Sequence, residues 1–494
     1  MSVAGGTHFS AAVTEHGNVA AWGRGDFAQL GLGSTEHQLQ PAMVSGLEPD
    51  DCGRILLLDA GENHTAALVE DGRLYTWGGN SDGQLGHDDE QPRLLPAALG
   101  RGVFGGSPVA VVACGTAHTL AVTAEGGVWT CGRNADGQLG HGGRVYTPVF
   151  ARVATSCFDG ERIVMGACGD RHSIVASEAG RVWTWGAGGS GRLGHNNEDD
   201  LLAPVVLEEE PLATRKIVTV AAGHAHTTAV GDDGALVLWG EGTIGQLGLG
   251  DLDNQLVPVR MGSDEKRPFG GCGVKSAACG SYHTMVVTWE GALWAFGEGW
   301  FGRLGLGDDL SRLAPVRVHP KHFNNARVAA AAAGALHSMA VTEDGALYTW
   351  GKGTADGIGC CAWGPTQLDS SAASDPQVPG GLGLGDVSGR LFPTLVSPGF
   401  LGGARVGRFN KLAEEFAVAF AMSTHVRLGA ATSASSHECG PLPVDLVRRV
   451  VEACAWGAEG EAGMRVGEGV LRLTGGRKST PSEPSTSAAD VPST

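Results

Sequence analysis

The sequence predicts an all-β chain: a seven-bladed β-propeller followed by a short C-terminal helix and a disordered tail. Three observations carry that prediction. A histidine recurs seven times, as His8, His64, His118, His172, His226, His283 and His337, at intervals of 54 to 57 residues. Thirteen residues after each, or fourteen in the first copy, stands an aromatic-glycine pair headed by Trp22, Trp77, Trp185, Trp239, Phe296 or Trp350, with Cys131 standing in once. Seven residues further on, six copies carry Gln29, Gln84, Gln138, Arg192, Gln246 or Arg303, each followed by Leu-Gly. A fixed period of this length marks a repeat array in which each unit buries its apolar face against its neighbours.

Each unit reads as strands. The run Ile217-Val-Thr-Val-Ala-Ala leads through Gly223 and His226 into Thr227-Thr-Ala-Val, then an Asp233-Gly234 turn, then Leu236-Val-Leu-Trp239. These are short apolar stretches divided by turn signals. A glycine-rich tip and a Pro-x-x-Val stretch complete the unit, with prolines at 41, 96, 148, 204, 258 and 315. Four short strands in about 54 residues suit one propeller blade, and seven blades suit a closed ring with protected edges. The 80 glycines among 494 residues supply the tight turns such a ring requires. At the ends, residues 2–13 read as the middle of a unit, and residues 412–422 read as a degenerate half-unit with Phe416 in the histidine position. Strands from both termini are therefore expected to share one blade, so that the propeller occupies residues 1–430.

A linker at 431–440 precedes residues 441–457, where Val447, Val450, Val451, Cys454 and Ala455 fall on one helical face opposite Arg448, Arg449 and Glu452. That helix is expected to pack back onto the propeller. Residues 458–494 form a low-complexity tail, and from Gly475 onward Ser, Thr, Pro and Ala dominate, a composition that cannot bury a core.

Charge narrows the partners. With 35 basic against 53 acidic side chains and a formal charge of −18, the chain lacks the excess of Lys and Arg that displaces phosphate counterions, which argues against a direct nucleic-acid partner. No apolar run approaches the 18 or so residues of a membrane span, and residues 1–6 carry no secretory signal pattern. A monomeric cytoplasmic or nuclear protein is expected. Eleven cysteines form no disulfide framework; Cys114, Cys168 and Cys279 occupy the repeat position held by Ala60, Ala222 and Ala333 and read as small buried residues.

No residue is assigned a catalytic, cofactor-binding or metal-ligating role. There is no Gly-x-Ser-x-Gly elbow, Walker loop or His-Glu-x-x-His motif. The histidines recur once per unit, which points to something every blade needs, such as a ring nitrogen bonding a backbone carbonyl near a turn. His224 and His226 make a His-x-His pair without a third ligand. The Trp-Gly aromatics read as core side chains packed between blades. Function is expected where the period breaks. In the seventh unit about 24 extra residues follow Trp350, placing an insertion at 354–379 that carries Asp356, Ile358, Cys360, Cys361, Trp363 and Asp369. Insertions in repeats map to loops on one face, so Asp356, Trp363 and Asp369 are candidate partner-binding residues; a tolerated insertion is the plain alternative. Trp300 and Phe301 at the sixth glycine-rich tip are the second candidate, with blade-to-blade packing the competing account.

The pattern Ala-x-Gly-x-x-His-Thr-x-Ala-Val-x-x-Asp-Gly-x-Leu-x-x-Trp-Gly-x-x-x-x-Gly-Gln-Leu-Gly-x-Gly-Asp resembles the repeat of the regulator of chromosome condensation family over roughly residues 2 to 425. The resemblance implies a seven-bladed propeller. It implies three functions: a non-enzymatic scaffold binding protein partners through its loops, guanine-nucleotide exchange on a Ran-like small GTPase, or ultraviolet-B sensing. The scaffold is the expectation adopted here. Units two to four keep 54-residue intervals with no protruding wedge, and no basic tail is present, which weighs against exchange. The family's photoreceptor places chromophore tryptophans in Gly-Trp-Arg-His-Thr motifs, whereas the corresponding stretches here, such as Glu62-Asn63-His64 and Asp170-Arg171-His172, hold none.

Overall fold

Alternating turn signals and short β-branched runs resolve into seven four-stranded antiparallel sheets in the computed structural model, which describes residues 2–262, 268–353, 384 and 389–397. The chain divides into a unit Met1–Met422 and a unit Ser423–Thr494. The second unit, and with it the helix expected at 441–457 and the tail, lies outside the described residues, as do 412–422, the linker and the insertion 354–379. Besides the sheets, the described residues form one short helix, Pro49–Cys52, and five 3-10 turns.

Blade 2 shows how sequence dictates the plan. Its strands are Ile55–Ala60, His64–Val69, Leu74–Gly78 and Arg93–Ala98, each hydrogen-bonded to the next. The second and third strands are buried along their whole length because neighbouring blades cover both faces, so they read as continuous apolar runs. The fourth strand is the outer edge, exposed at Leu94 and Leu95, and an edge tolerates Pro96, which has no N–H to donate. Between strands two and three, Gly72 takes φ +80, and the Asp71 carboxylate accepts from the Arg73 N–H at 3.0 Å. At the end of strand three, Gly78 has φ +105, and a Cβ there would lie 2.5 Å from the Asn63 carbonyl oxygen and 2.8 Å from the His64 Cα. Only glycine fits where the histidine strand passes so close.

The same plan repeats in blade 1 (residues 3–43), blade 3 (109–152), blade 4 (163–206), blade 5 (217–260), blade 6 (274–317) and blade 7 (328–395). First strands touch in succession around an axis, and that of blade 7 returns to that of blade 1. Cores lie between blades: Ala66, Leu68 and Leu74 of blade 2 pack with Val112, Cys131 and Phe150 of blade 3.

Ring closure departs from the expectation. Among the described residues every sheet is built from four consecutive strands, and Val3–Gly5 is the innermost strand of a four-stranded first blade, not the middle of a unit. The ring closes as any other seam does, with Met339, Val341, Leu347 and Val396 of blade 7 packed against Ala12, Ala20 and Trp22 of blade 1. Three residues, Val3, Ala4 and Gly5, pair with Ala12, Ala11 and Ser10 of the second strand, half the length of the six-residue inner strand of blade 2. Val3–Gly5 is too short to leave a strand pattern in the sequence, whereas the inner strand Ile217–Ala222 of blade 5 is read from its apolar run.

Candidate protein-binding face

The repeated residues form a relay at six of the seven seams, all but that between blades 1 and 2. His64 Nε2 lies 2.9 Å from the Thr119 hydroxyl of blade 3, and that hydroxyl donates to the Gln84 carbonyl of blade 2 at 2.7 Å. The hydroxyl's single proton is committed to the carbonyl, so the imidazole must be the donor, protonated on Nε2. The device recurs from His118 to Ser173, His172 to Thr227, His226 to Thr284, His283 to Ser338, and His337 to Ser10. The histidines therefore bind the next blade's hydroxyl, and not a backbone carbonyl as the sequence suggested. The same Gln or Arg carbonyl takes a second donor, the indole N–H of Trp77, Trp185, Trp239 or Trp350 from the following blade. Burial holds the imidazoles neutral: His64, His226 and His337 are lowered to about 3 and His118 to about 4.

His8 is not a member of this set. Phe9 pairs with Gly23 as His64 pairs with Gly78, so Phe9 fills the histidine position and His8 precedes it by one. That explains the spacing of fourteen in the first copy.

Antiparallel order puts the turn between strands one and two on the same side as the tip between strands three and four. On that side the first strands open into a narrow channel, its wall including Cys114, Cys168 and Cys279. Burial raises all three thiols, Cys279 to about 12, so they are small wall residues without nucleophilic character. Asp59, also on a first strand, accepts from the Cys114 N–H at 2.7 Å; burial raises its carboxyl to about 6 against the pull of the backbone N–H groups of Cys114 and Ala60.

Seven residues ring the channel mouth: Thr7, Glu62, Thr116, Asp170, His224, Ser281 and Ala335. Asp170 pairs with His224 at 3.2 Å and with Arg171 at 3.4 Å. Burial pushes its carboxyl up, yet the His224 contact, the Thr116 hydroxyl and Arg171 outweigh that and leave it below the ordinary range. His224 thus has a carboxylate partner, and among the described residues no three His, Cys, Asp or Glu side chains converge as a metal would need.

The two halves of this face differ. Around blades 2 to 5 the loops carry ionic side chains, Glu62, Asp136, Asp170, Arg171 and Glu241 among them. Around blade 6 they carry Tyr282, Trp300 and Phe301. Trp300 is 55% exposed and Phe301 44%, while the turn that carries them also rests against the outer strands of blade 7. Phe301 lies with the Lys352 ammonium of blade 7 at 4.8 Å from its ring, and beneath it Arg303, fully buried, pairs with Glu298 at 2.5 Å. Asp356, Trp363 and Asp369 lie outside the described residues, although their segment leaves blade 7 at Gly353, on this same side. The mouth ring and the Arg303–Glu298 pair were not foreseen; the one available signal was that the two residues between the Gly of the first turn and the histidine position vary while the glycine repeats.

Comparison with known proteins follows this geometry. Residues 96–458 match the model of the RCC1-like domain, and residues 16–68 and 55–84 match models of the regulator of chromosome condensation (RCC1) repeat. The ultraviolet-B receptor UVR8 of Arabidopsis thaliana is 33% identical over 362 residues, 73% of this chain and 78% of that protein. The E3 ubiquitin-protein ligase HERC2 of Homo sapiens is 33% identical over 340 residues, 68% of this chain but 7% of that protein. Among solved structures, human WBSCR16 superposes with a TM-score of 0.64 at 25% identity, covering 77% of this chain and 94% of the other. Prp20p of Saccharomyces cerevisiae superposes with a TM-score of 0.65 at 22% identity over 83% of this chain and 96% of the other, and shares the fold. Seven repeats in phase, a closed seven-bladed ring and these matches together make the chain a member of the RCC1-like repeat family.

Proposed function

We propose that this propeller is a non-enzymatic binding module that engages a partner protein through the face bearing the channel mouth, with Trp300 and Phe301 as its anchor. The observation that carries the reading is an adjoining aromatic pair left exposed on a tip whose backbone is fixed from below by a buried ion pair. Large aromatics on rigid supports lose little entropy on binding and supply much of the affinity at protein interfaces. The reading is supported by the use of the chemically capable side chains among the described residues: the buried histidines are committed to seams and the channel thiols are held protonated.

A photo-cross-linking amino acid placed at 300, with a control at the exposed Trp289 on the opposite side, tests the reading in cells. Adducts specific to position 300 that disappear in F301A support it; adducts from 289 alone refute it. The partner class is a second question. Purified chain added to a panel of small GTPases loaded with a fluorescent GDP analogue would accelerate release on one member if the partner is a GTPase and the activity is exchange. The light sensing named for the Arabidopsis relative is not carried over, because the mouth positions hold Thr7, Glu62, Thr116, Asp170, His224, Ser281 and Ala335 and no tryptophan.

A further inference from the structure

The repeat position filled by Gln in four blades is filled by Arg in blades 4 and 6, and the backbone above it differs accordingly. In the Gln tips the side-chain carbonyl oxygen accepts from the N–H two residues earlier: Phe27 to Gln29 at 2.9 Å, Asp82 to Gln84 at 3.0 Å, Asp136 to Gln138 at 2.9 Å and Ile244 to Gln246 at 2.9 Å. Arg has no acceptor. Its Nε instead donates to the carbonyl three residues earlier, Arg192 to Gly189 at 2.8 Å and Arg303 to Trp300 at 3.1 Å. That carbonyl and the N–H used in the Gln tips belong to the same peptide unit, so the unit is turned over in the Arg tips. The turned peptide drives the residue after it into the left-handed region: Ser190 at φ 60 and Phe301 at φ 61. A bulky aromatic there is unfavourable unless its surroundings enforce it. The enforcement is visible, since each Arg also reaches the first turn of the next blade, Arg192 to the His224 carbonyl and Arg303 to the Ala335 carbonyl, both at 3.3 Å.

We propose that Arg303 is the positioning residue of the Trp300–Phe301 surface: by turning over the 300–301 peptide it makes this tip offer a partner a backbone N–H between two exposed aromatic rings, where a Gln tip would offer a carbonyl. The partner that fits is a segment bringing a hydrogen-bond acceptor, a carboxylate or peptide carbonyl, beside an apolar side chain. Blade 4 displays the matching chemistry internally, for there the turned-out Ser190 N–H donates to the Glu198 carboxylate at 3.1 Å. In blade 6 the residue at the corresponding place is Asp309, one methylene shorter, and among the described residues no group accepts from the Phe301 N–H. The inference rests on the proposed binding role for its partner half alone; the backbone half stands or falls by itself.

Crystal structures of the full chain carrying R303Q and R303K separate the two halves. Lysine is a donor without an acceptor and should keep Phe301 near φ +60; the amide of R303Q should draw the peptide back and return Phe301 to negative φ. Cross-linking from position 300 should fall tenfold or more in R303Q and be retained in R303K. Positive φ at Phe301 in R303Q overturns the assignment. If R303Q fails to fold because Glu298 is left buried without its partner, Q138R decides in an independent tip: Asp136 should move to positive φ, and an unmoved Asp136 overturns the proposal. A backbone that switches while cross-linking stays unchanged overturns the partner half and the binding reading with it.

Discussion

Each of the six seam histidines binds its proton differently in the folded and unfolded chain, and all six act in the same direction. An unfolded histidine titrates near 6.5, whereas His64, His226 and His337 are held at about 3, His118 at about 4, and His172 and His283 well below their ordinary value, all chiefly by burial. Below pH 6.5 the unfolded chain therefore takes up protons that the folded chain refuses. Stability is fully present above that pH and declines as pH falls toward the folded values, by up to about 1.4 kcal/mol per unit for each histidine. Asp59 opposes this by one group: its carboxyl, raised to about 6, takes up its proton in the folded state first and recovers stability as pH falls through 6. Urea titrations at pH 7.5, 6.5 and 5.5 should show a loss of several kcal/mol in the lower interval and a smaller one, about 2 kcal/mol, in the upper. A flat profile to pH 5.5 would mean that the imidazoles accept protons in place, on Nδ1, and that burial does not hold them neutral. At neutral pH, H118A should cost about 2 to 3 kcal/mol, the sum of a buried cavity and a hydroxyl deprived of its donor.

Elements are specified by pairs of residues whose roles differ. The Trp-Gly pair supplies an indole donor to the previous blade's carbonyl and a backbone without Cβ against the histidine strand. Trp185, fully buried, donates to the Gln138 carbonyl at 2.9 Å, but the ring also fills the core with Phe158 and Trp183. The natural Phe296, which has no N–H, shows that volume outranks the hydrogen bond. W185F should therefore cost about 1 to 2 kcal/mol, and W185A about 3 to 5, in denaturant midpoints at constant slope. Equal losses would mean that the indole bond, and not the packing, dominates. The blade count, the second and third strands and the proline-bearing edge were legible in the sequence because burial on both faces, turn glycines and edge prolines each leave a residue signature. The inner strand was legible as an apolar run in Ile217–Ala222 but not in blade 1, where the three residues Val3–Gly5 are too few to make a pattern. Nor was the difference between Gln and Arg tips, which are interchangeable by size and polarity and diverge only in whether an acceptor exists. Trp300 and Phe301 were legible as candidates, but their exposure on a rigid tip required the seam below them to be seen.

At the scale of the ring the question is whether seven blades stay closed without a shared sheet. A propeller whose ends share a blade is held at its seam by backbone ladders; this one is held between blades 7 and 1 by apolar packing and by His337 Nε2 at 2.8 Å from the Ser10 hydroxyl. The internal seam between blades 3 and 4 uses the same device, His118 to Ser173 at 3.0 Å. If closure is equivalent to any other seam, the coupling between partners should be equivalent too. Double-mutant cycles isolate that coupling from the cost of each truncation. For H337A with S10A, and for H118A with S173A, the interaction energy should be about 1 kcal/mol in each case, the usual net worth of a neutral buried hydrogen bond, and the two values should agree within about 0.5 kcal/mol. Coupling at the internal seam with none at the closing seam would show that blades 7 and 1 separate in solution. In that event the tip of blade 6 and the face beside it would not be held against a closed ring, and the rigidity on which the Trp300–Phe301 anchor depends would be lost.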